Sequence, residues 1–126
     1  MPDTNIKILI VDDFATMRRI VKNILVQLGY KNIIEADDGT SALTVLKNEK
    51  VDLIISDWNM PKMTGLDLLK AIRGNDATAT LPFIMVTAEA QQDNIIQAVK
   101  AKVSQYIVKP FTAETMQEKL AKVFGS

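Results

Sequence analysis

Short unbroken apolar runs alternate along the chain with stretches whose apolar residues recur at helical spacing. The first run, Ile8-Leu9-Ile10-Val11, ends on Asp12-Asp13. A run of this length, bounded by polar residues, fits a strand covered on both faces. Met17, Ile20, Val21, Ile24, Leu25 and Leu28 then predict one apolar stripe of a helix, with Gly29 at its end and Asp13 as its N-cap. Residues 32–36 form a weaker strand around Ile33 and Ile34. Asp37-Asp38-Gly39 reads as a solvated turn with no further role, and residues 41–47 as a short helix burying Ala42, Leu43 and Leu46. A third strand over 51–56 runs into Asp57. Thr64 is the expected cap of the next helix, with Asp67 in its first turn, Leu66, Leu69 and Ile72 as its buried stripe, and Gly74 at its end. A fourth strand over 83–86 ends on Thr87-Ala88-Glu89, and a helix from about residue 93 to 100 is expected to bury Ile96 and Val99. Tyr106-Ile107-Val108 is the fifth strand and ends on Lys109-Pro110-Phe111. Thr112 caps a last helix with Met116, Leu120 and Val123 inside.

Strand and helix thus alternate five times. That order predicts an α/β fold, a five-stranded parallel doubly wound sheet with helices on both faces. Right-handed crossovers leave few topologies. The 126 residues are enough for one domain with a real core and too few for two, so residues 1–126 are expected to be a single domain.

Composition narrows the chemistry. Fifteen basic residues balance fifteen acidic ones, which gives no general electrostatic reason to bind nucleic acid or an anionic membrane. The chain has no cysteine and no histidine. Disulfides, thiolate nucleophiles, Cys or His metal sites and a phosphohistidine of its own are therefore excluded. The first apolar run is far too short for a signal peptide or a membrane span, so the expected compartment is the cytoplasm.

In open α/β sheets, ligands sit beyond the carboxyl ends of the strands. This chain places Asp12 and Asp13 at the end of the first strand, Asp57 at the third, Thr87 at the fourth and Lys109 at the fifth. Each has an ordinary reading alone: helix cap, turn former, strand-end polar residue, surface lysine. Together they form a set suited to a metal ion and a phosphoryl group. Carboxylates are ligands for hard cations, and Mg²⁺ takes one or two of them with waters and phosphate oxygens. A carboxylate also serves as a nucleophile and forms an aspartyl-phosphate. Lysine supplies a point charge for phosphate oxygens, and threonine a hydroxyl donor.

The same residues carry a family resemblance. Asp12-Asp13-Phe14, Ser56-Asp57-Trp58-Asn59-Met60-Pro61 with Gly65, Val86-Thr87-Ala88 and Val108-Lys109-Pro110-Phe111 resemble the receiver domains of bacterial two-component response regulators. The stretch from Asp12 to Val21 and the Asp57-Trp58-Asn59 triplet are most similar to the stand-alone chemotaxis regulators of that family. The resemblance covers nearly the whole chain and implies a flavodoxin-like strand order of 2-1-3-4-5.

It implies more, residue by residue. Asp57 is the phosphoacceptor. Asp13 and Asp57 hold Mg²⁺ directly with the backbone carbonyl of Asn59, and Asp12 acts mainly through a metal-bound water. Thr87 and Lys109 bind the phosphoryl group, and Tyr106 is an aromatic switch behind Thr87. Trp58, Asn59 and Glu89 flank the site, the last two influencing how fast the group is lost. The Lys109-Pro110 bond is expected to be cis. The donor is a histidine kinase, and the protein is a phosphoacceptor that catalyses only its own phosphorylation and dephosphorylation. Phosphorylation is expected to change a face made by the fourth helix, fifth strand and fifth helix, including Ile95, Val99, Tyr106 and Lys119. No further domain is expected after Ser126, so output is expected through contact with another protein. The flagellar motor switch protein, and hence control of flagellar rotation in chemotaxis, is the first expectation; a phosphatase is a further partner. A phosphorelay intermediate or phosphate sink is the alternative.

The family commonly has a small Gly-Ala pair before the fifth strand, where this chain has Lys102-Val103; Gln92 and Gln105 are further departures. They bear on partner choice and leave the site chemistry intact. Flavin binding would need a Ser/Thr/Gly-rich phosphate loop after the first strand. Asp12-Asp13-Phe14 would instead repel phosphate unless a metal is bound. Asp-dependent phosphohydrolases on related folds place a second Asp two residues after the nucleophile, where this chain has Asn59. No G-x-x-x-x-G-K-[ST] loop is present to support ATP hydrolysis.

Overall fold

The computed structural model describes residues 4–88 and 92–124, apart from the side chain of Gln92. The elements run β1 (Lys7–Val11), α1 (Ala15–Gln27), β2 (Asn32–Ala36), α2 (Gly39–Asn48), β3 (Leu53–Asp57), α3 (Gly65–Arg73), β4 (Phe83–Thr87), α4 (Gln92–Lys100), β5 (Gln105–Val108) and α5 (Ala113–Phe124). All five strands are parallel, in the order β2-β1-β3-β4-β5.

Both faces of the sheet are covered, which explains the unbroken apolar runs. Successive strand residues point to opposite faces. Leu9, Val11, Ile54, Phe83 and Met85 join one core with Leu66, Leu68, Leu69 and Ile72 of α3 and Ala42 of α2. Ile8, Ile10, Leu53, Ile55, Ile84 and Val86 join a second core with Val21 and Leu25 of α1 and Met116 and Leu120 of α5. The sheet is therefore a rigid platform, and the residues at its carboxyl edge inherit that rigidity.

Local chemistry sets the helix ends. Thr64 and Asp67 form the expected capping box: the Asp67 N–H donates to Thr64 Oγ1 and the Thr64 N–H donates to the Asp67 carboxylate, both at 3.1 Å. Thr112 caps α5 by accepting from the Thr115 N–H at 3.2 Å. Gly29 takes φ 102, a left-handed value that suits glycine after a helix.

Several expectations are corrected. Asp13 does not cap α1: the N-cap position is Phe14, which makes no side-chain cap, and the Phe14 N–H is satisfied instead by Asp12 Oδ1 at 2.9 Å. Asp38 does have a role. Its carboxylate accepts from the Ser41 N–H at 2.7 Å and caps α2, which begins at Gly39, two residues before the expected start. Ile20 of α1 is exposed, as are Ile96 and Val99 of α4. Among the described side chains of α4, Ala98 is the buried one instead. The spacing of apolar residues found these helices but set the inward face of α4 wrongly.

Lys102 stands where the family commonly has a glycine. It sits at φ 66, in the left-handed region that glycine occupies without strain. No helix among the described residues is long and apolar enough to cross a membrane.

Candidate functional site at the carboxyl edge of the sheet

β1, β3 and β4 lie side by side at the centre of the sheet, so their carboxyl ends are neighbours. Asp57 is the last residue of β3, paired with Val86, rather than the first residue beyond the strand. Its carboxylate therefore rises from a fixed backbone. The strand continues to hold just past it: the Trp58 N–H donates to the Val86 carbonyl at 2.9 Å, and the Trp58 carbonyl accepts from Gly65 N–H at 2.8 Å. Gly65 must be small here. A Cβ would collide with the Asp57 carbonyl oxygen and come within 2.7 Å of Met85 Sδ and 3.0 Å of Trp58 Cα. The start of α3 is thus packed directly on the backbone of the candidate acceptor.

Asp12, Asp13 and Asp57 converge. Each offers a carboxylate oxygen, and the three oxygens lie within 4.8 Å of one another. Asp12 and Asp57 are only 4% and 7% exposed, while Asp13 faces solvent. Burial pushes the Asp12 carboxyl above the ordinary carboxylate range, opposed by the Phe14 N–H and the Lys109 ammonium and reinforced by the negative Asp57 and Asp13. Lys109 closes the cluster from β5: its Nζ is 2.9 Å from Asp57 Oδ1 and 4.0 Å from Asp12 Oδ2. Three carboxylates against one ammonium leave a net negative, all-oxygen donor set. Such a set fits a hard divalent cation such as Mg²⁺ and offers nothing to a softer metal.

The remaining expected residues surround this centre. Thr87 ends β4, is 5% exposed, and its carbonyl accepts from the Lys109 N–H at 2.8 Å, tying the two phosphate-binding candidates together. The Lys109-Pro110 peptide is cis. Trp58 is half-buried against the core beneath α3, and Asn59 is exposed next to it. Glu89 lies outside the described residues. Tyr106 is half-buried on β5 opposite Met85, and Lys119 Nζ sits 5.3 Å from its ring centroid, so two residues expected on one face are in contact. Ile95 is half-buried and Val99 is 59% exposed.

Sequence reasoning missed Arg18. Its Nη1 donates to the Asp12 carbonyl at 2.7 Å and its Nε pairs with Glu35 Oε1 at 3.2 Å. Glu35 comes from β2. Only the tertiary fold brings the two together.

The chain is similar to known proteins over nearly its whole length. The family model for the response regulator receiver domain matches residues 8–121. The chain is 57% identical over 118 residues to the chemotaxis protein CheY of Pseudomonas aeruginosa, covering 94% of this chain and 95% of that one. It is 58% identical over 120 residues to the chemotaxis protein CheY-3 of Vibrio cholerae, covering 95% and 92%. Among solved structures, the chemotaxis protein CheY4 of Vibrio cholerae superimposes with a TM-score of 0.87 at 34% identity, over 94% of this chain and 98% of that one. A putative response regulator from Chloroflexus aurantiacus reaches a TM-score of 0.90 at 28% identity, over 97% and 99%. The fold is the flavodoxin-like one of these receivers, and the chain belongs to the response regulator receiver family.

Proposed function

We propose that the protein is a phosphorylation-activated signalling switch whose acceptor is Asp57, with the whole chain acting as one receiver domain in the cytoplasm. The observation that carries this reading is the meeting of three carboxylate oxygens within 4.8 Å, with an ammonium 2.9 Å from the one on β3. Asp12, Asp13 and Asp57 would hold Mg²⁺, joined by the Asn59 carbonyl. When bound, the ion neutralises negative charge on the carboxylates and on the incoming group.

An Asp57 carboxylate oxygen attacks the phosphorus of a phosphohistidine on a partner kinase. The O–P bond forms as the P–N bond breaks, and the imidazole nitrogen leaves with the electron pair. Lys109 moves its charge from the Asp57 carboxylate to a phosphoryl oxygen, and the Thr87 hydroxyl donates to another. The modification adds roughly −1.5 to −2 charge beside these two residues. They interact with it differently in the two conformations, and that difference biases the switch. The Lys109–Thr87 backbone link connects the site to β5 and so to Tyr106. The readout face is α4-β5-α5, with Ile95, Val99, Tyr106 and Lys119. Water later removes the group, at a rate influenced by Asn59 and Glu89, and a phosphatase assists.

Identity of 57–58% to two chemotaxis proteins supports a role in chemotaxis, in which the flagellar motor switch is the protein proposed to read this face. Incubation with Mg²⁺ and acetyl phosphate, followed by intact mass, tests the reading. The expected result is Mg²⁺-dependent gain of one phosphoryl group, absent in Asp57→Asn. No gain in the wild type would overturn it.

A further inference from the structure

We propose that Arg18 is a positioning residue for the carboxylate cluster: it fixes the peptide plane that joins Asp12 to Asp13. This rests on the cluster's being a divalent-cation site. Asp13 is exposed, and no described residue makes a side-chain hydrogen bond or ion pair with it. Nothing on its own side chain therefore sets its direction toward Asp12 and Asp57. The backbone before it must do so.

That backbone is held at both ends. The Asp12 N–H donates to the Ala36 carbonyl at 3.2 Å, continuing the β1–β2 ladder one step beyond β1. The Asp12 carbonyl, in the same peptide plane as the Asp13 N–H, accepts from Arg18 Nη1 at 2.7 Å. The Arg18 N–H in turn donates to the Phe14 carbonyl at 3.1 Å, so the clamp is set by the first turn of α1 itself.

The guanidinium is aimed by a second contact. Glu35 on β2 accepts from Arg18 Nε at 3.2 Å and also faces Lys22 Nζ at 3.9 Å. A planar fork is suited to this, because one nitrogen engages the carboxylate while another reaches the carbonyl. The Glu35 pairing also occupies the guanidinium, and no ion pair among the described residues joins it to the carboxylates of Asp12, Asp13 or Asp57. Arg18 thus lies close to an anionic centre without serving as its counter-ion; Lys109 has that role.

The sign of the effect separates positioning from charge. Removing a cation beside a metal site strengthens metal binding by electrostatics alone. Losing a positioning contact weakens it, by about tenfold for residues one shell outside the ligands. We expect Arg18→Met to weaken Mg²⁺ binding about tenfold, read by Trp58 fluorescence titration, with a melting temperature close to wild type. Arg18→Lys, which keeps the charge but not the fork, falls between the two. Should Arg18→Met fold poorly, Arg18→Lys alone carries the test, since a charge effect predicts no change for it. Unchanged or tighter Mg²⁺ binding in these variants, with wild type binding normally, overturns the positioning role. A wild type that binds no Mg²⁺ overturns the underlying metal site and the proposal with it.

Discussion

The helices that follow β3 and β4 are equally long and differ sharply in burial. α3 follows β3 and Asp57. Five of its nine residues are buried, a capping box closes its start, and Gly65 packs on the Asp57 backbone. α4 follows β4 and Thr87. Among its described side chains only Ala98 is buried, and Ile96 and Val99 stand 41% and 59% exposed. The contrast gives the two sides of the site different work. The Asp57 side is anchored, so the candidate acceptor rises from a fixed backbone. α4, beyond Thr87, gains little from burial where it lies, so it is the element that the proposed switch is expected to reposition.

Mutations can break or sharpen this contrast. Leu69→Ala in α3 removes a fully buried side chain from the larger core and is expected to destabilise by about 3 kcal/mol in denaturant unfolding. Gly65→Ala follows, at about 1–3 kcal/mol, because the added methyl meets backbone that cannot yield; it should also lower the yield of phosphorylated protein. Val99→Ala in α4 should alter stability by less than about 0.5 kcal/mol while weakening output-partner binding. A Val99→Ala loss as large as that of Leu69→Ala would refute the contrast.

A smaller effect concerns pH. The Ser41 N–H holds the Asp38 carboxyl below its ordinary value. Its stabilising contribution is therefore present above the unfolded carboxylate pKa and is lost as pH falls through the folded value. Asp38→Asn keeps the α2 cap without the titration. The wild type should lose stability relative to this variant on acidification, and the two should differ little near neutrality. A constant difference across the acid range would contradict the assignment.

The strand runs made the fold legible, because double coverage of the sheet writes unbroken apolar segments into the sequence. The site was legible for a related reason: Asp12, Asp13, Asp57, Thr87 and Lys109 each end a strand, and a parallel sheet gathers such ends at one edge. Features that depend on which side of a helix faces inward were less so. Ile96 and Val99 have helical spacing but lie on the outer face of α4, which periodicity alone does not decide. Asp38 looked like half of a solvated pair until the position of α2 made it a cap. Arg18 and Glu35 are seventeen positions apart and meet only across the β1–β2 edge.

The central claim is that a phosphoryl group on the anchored side is read out on the loosely packed side. Amide hydrogen exchange, with Mg²⁺ and with or without acetyl phosphate, tests it most directly. Changed protection in α4 and β5, with α3 unchanged and no response in Asp57→Asn, is the predicted result. Equal changes in α3 and α4, or an unaltered α4 in fully phosphorylated protein, would contradict it.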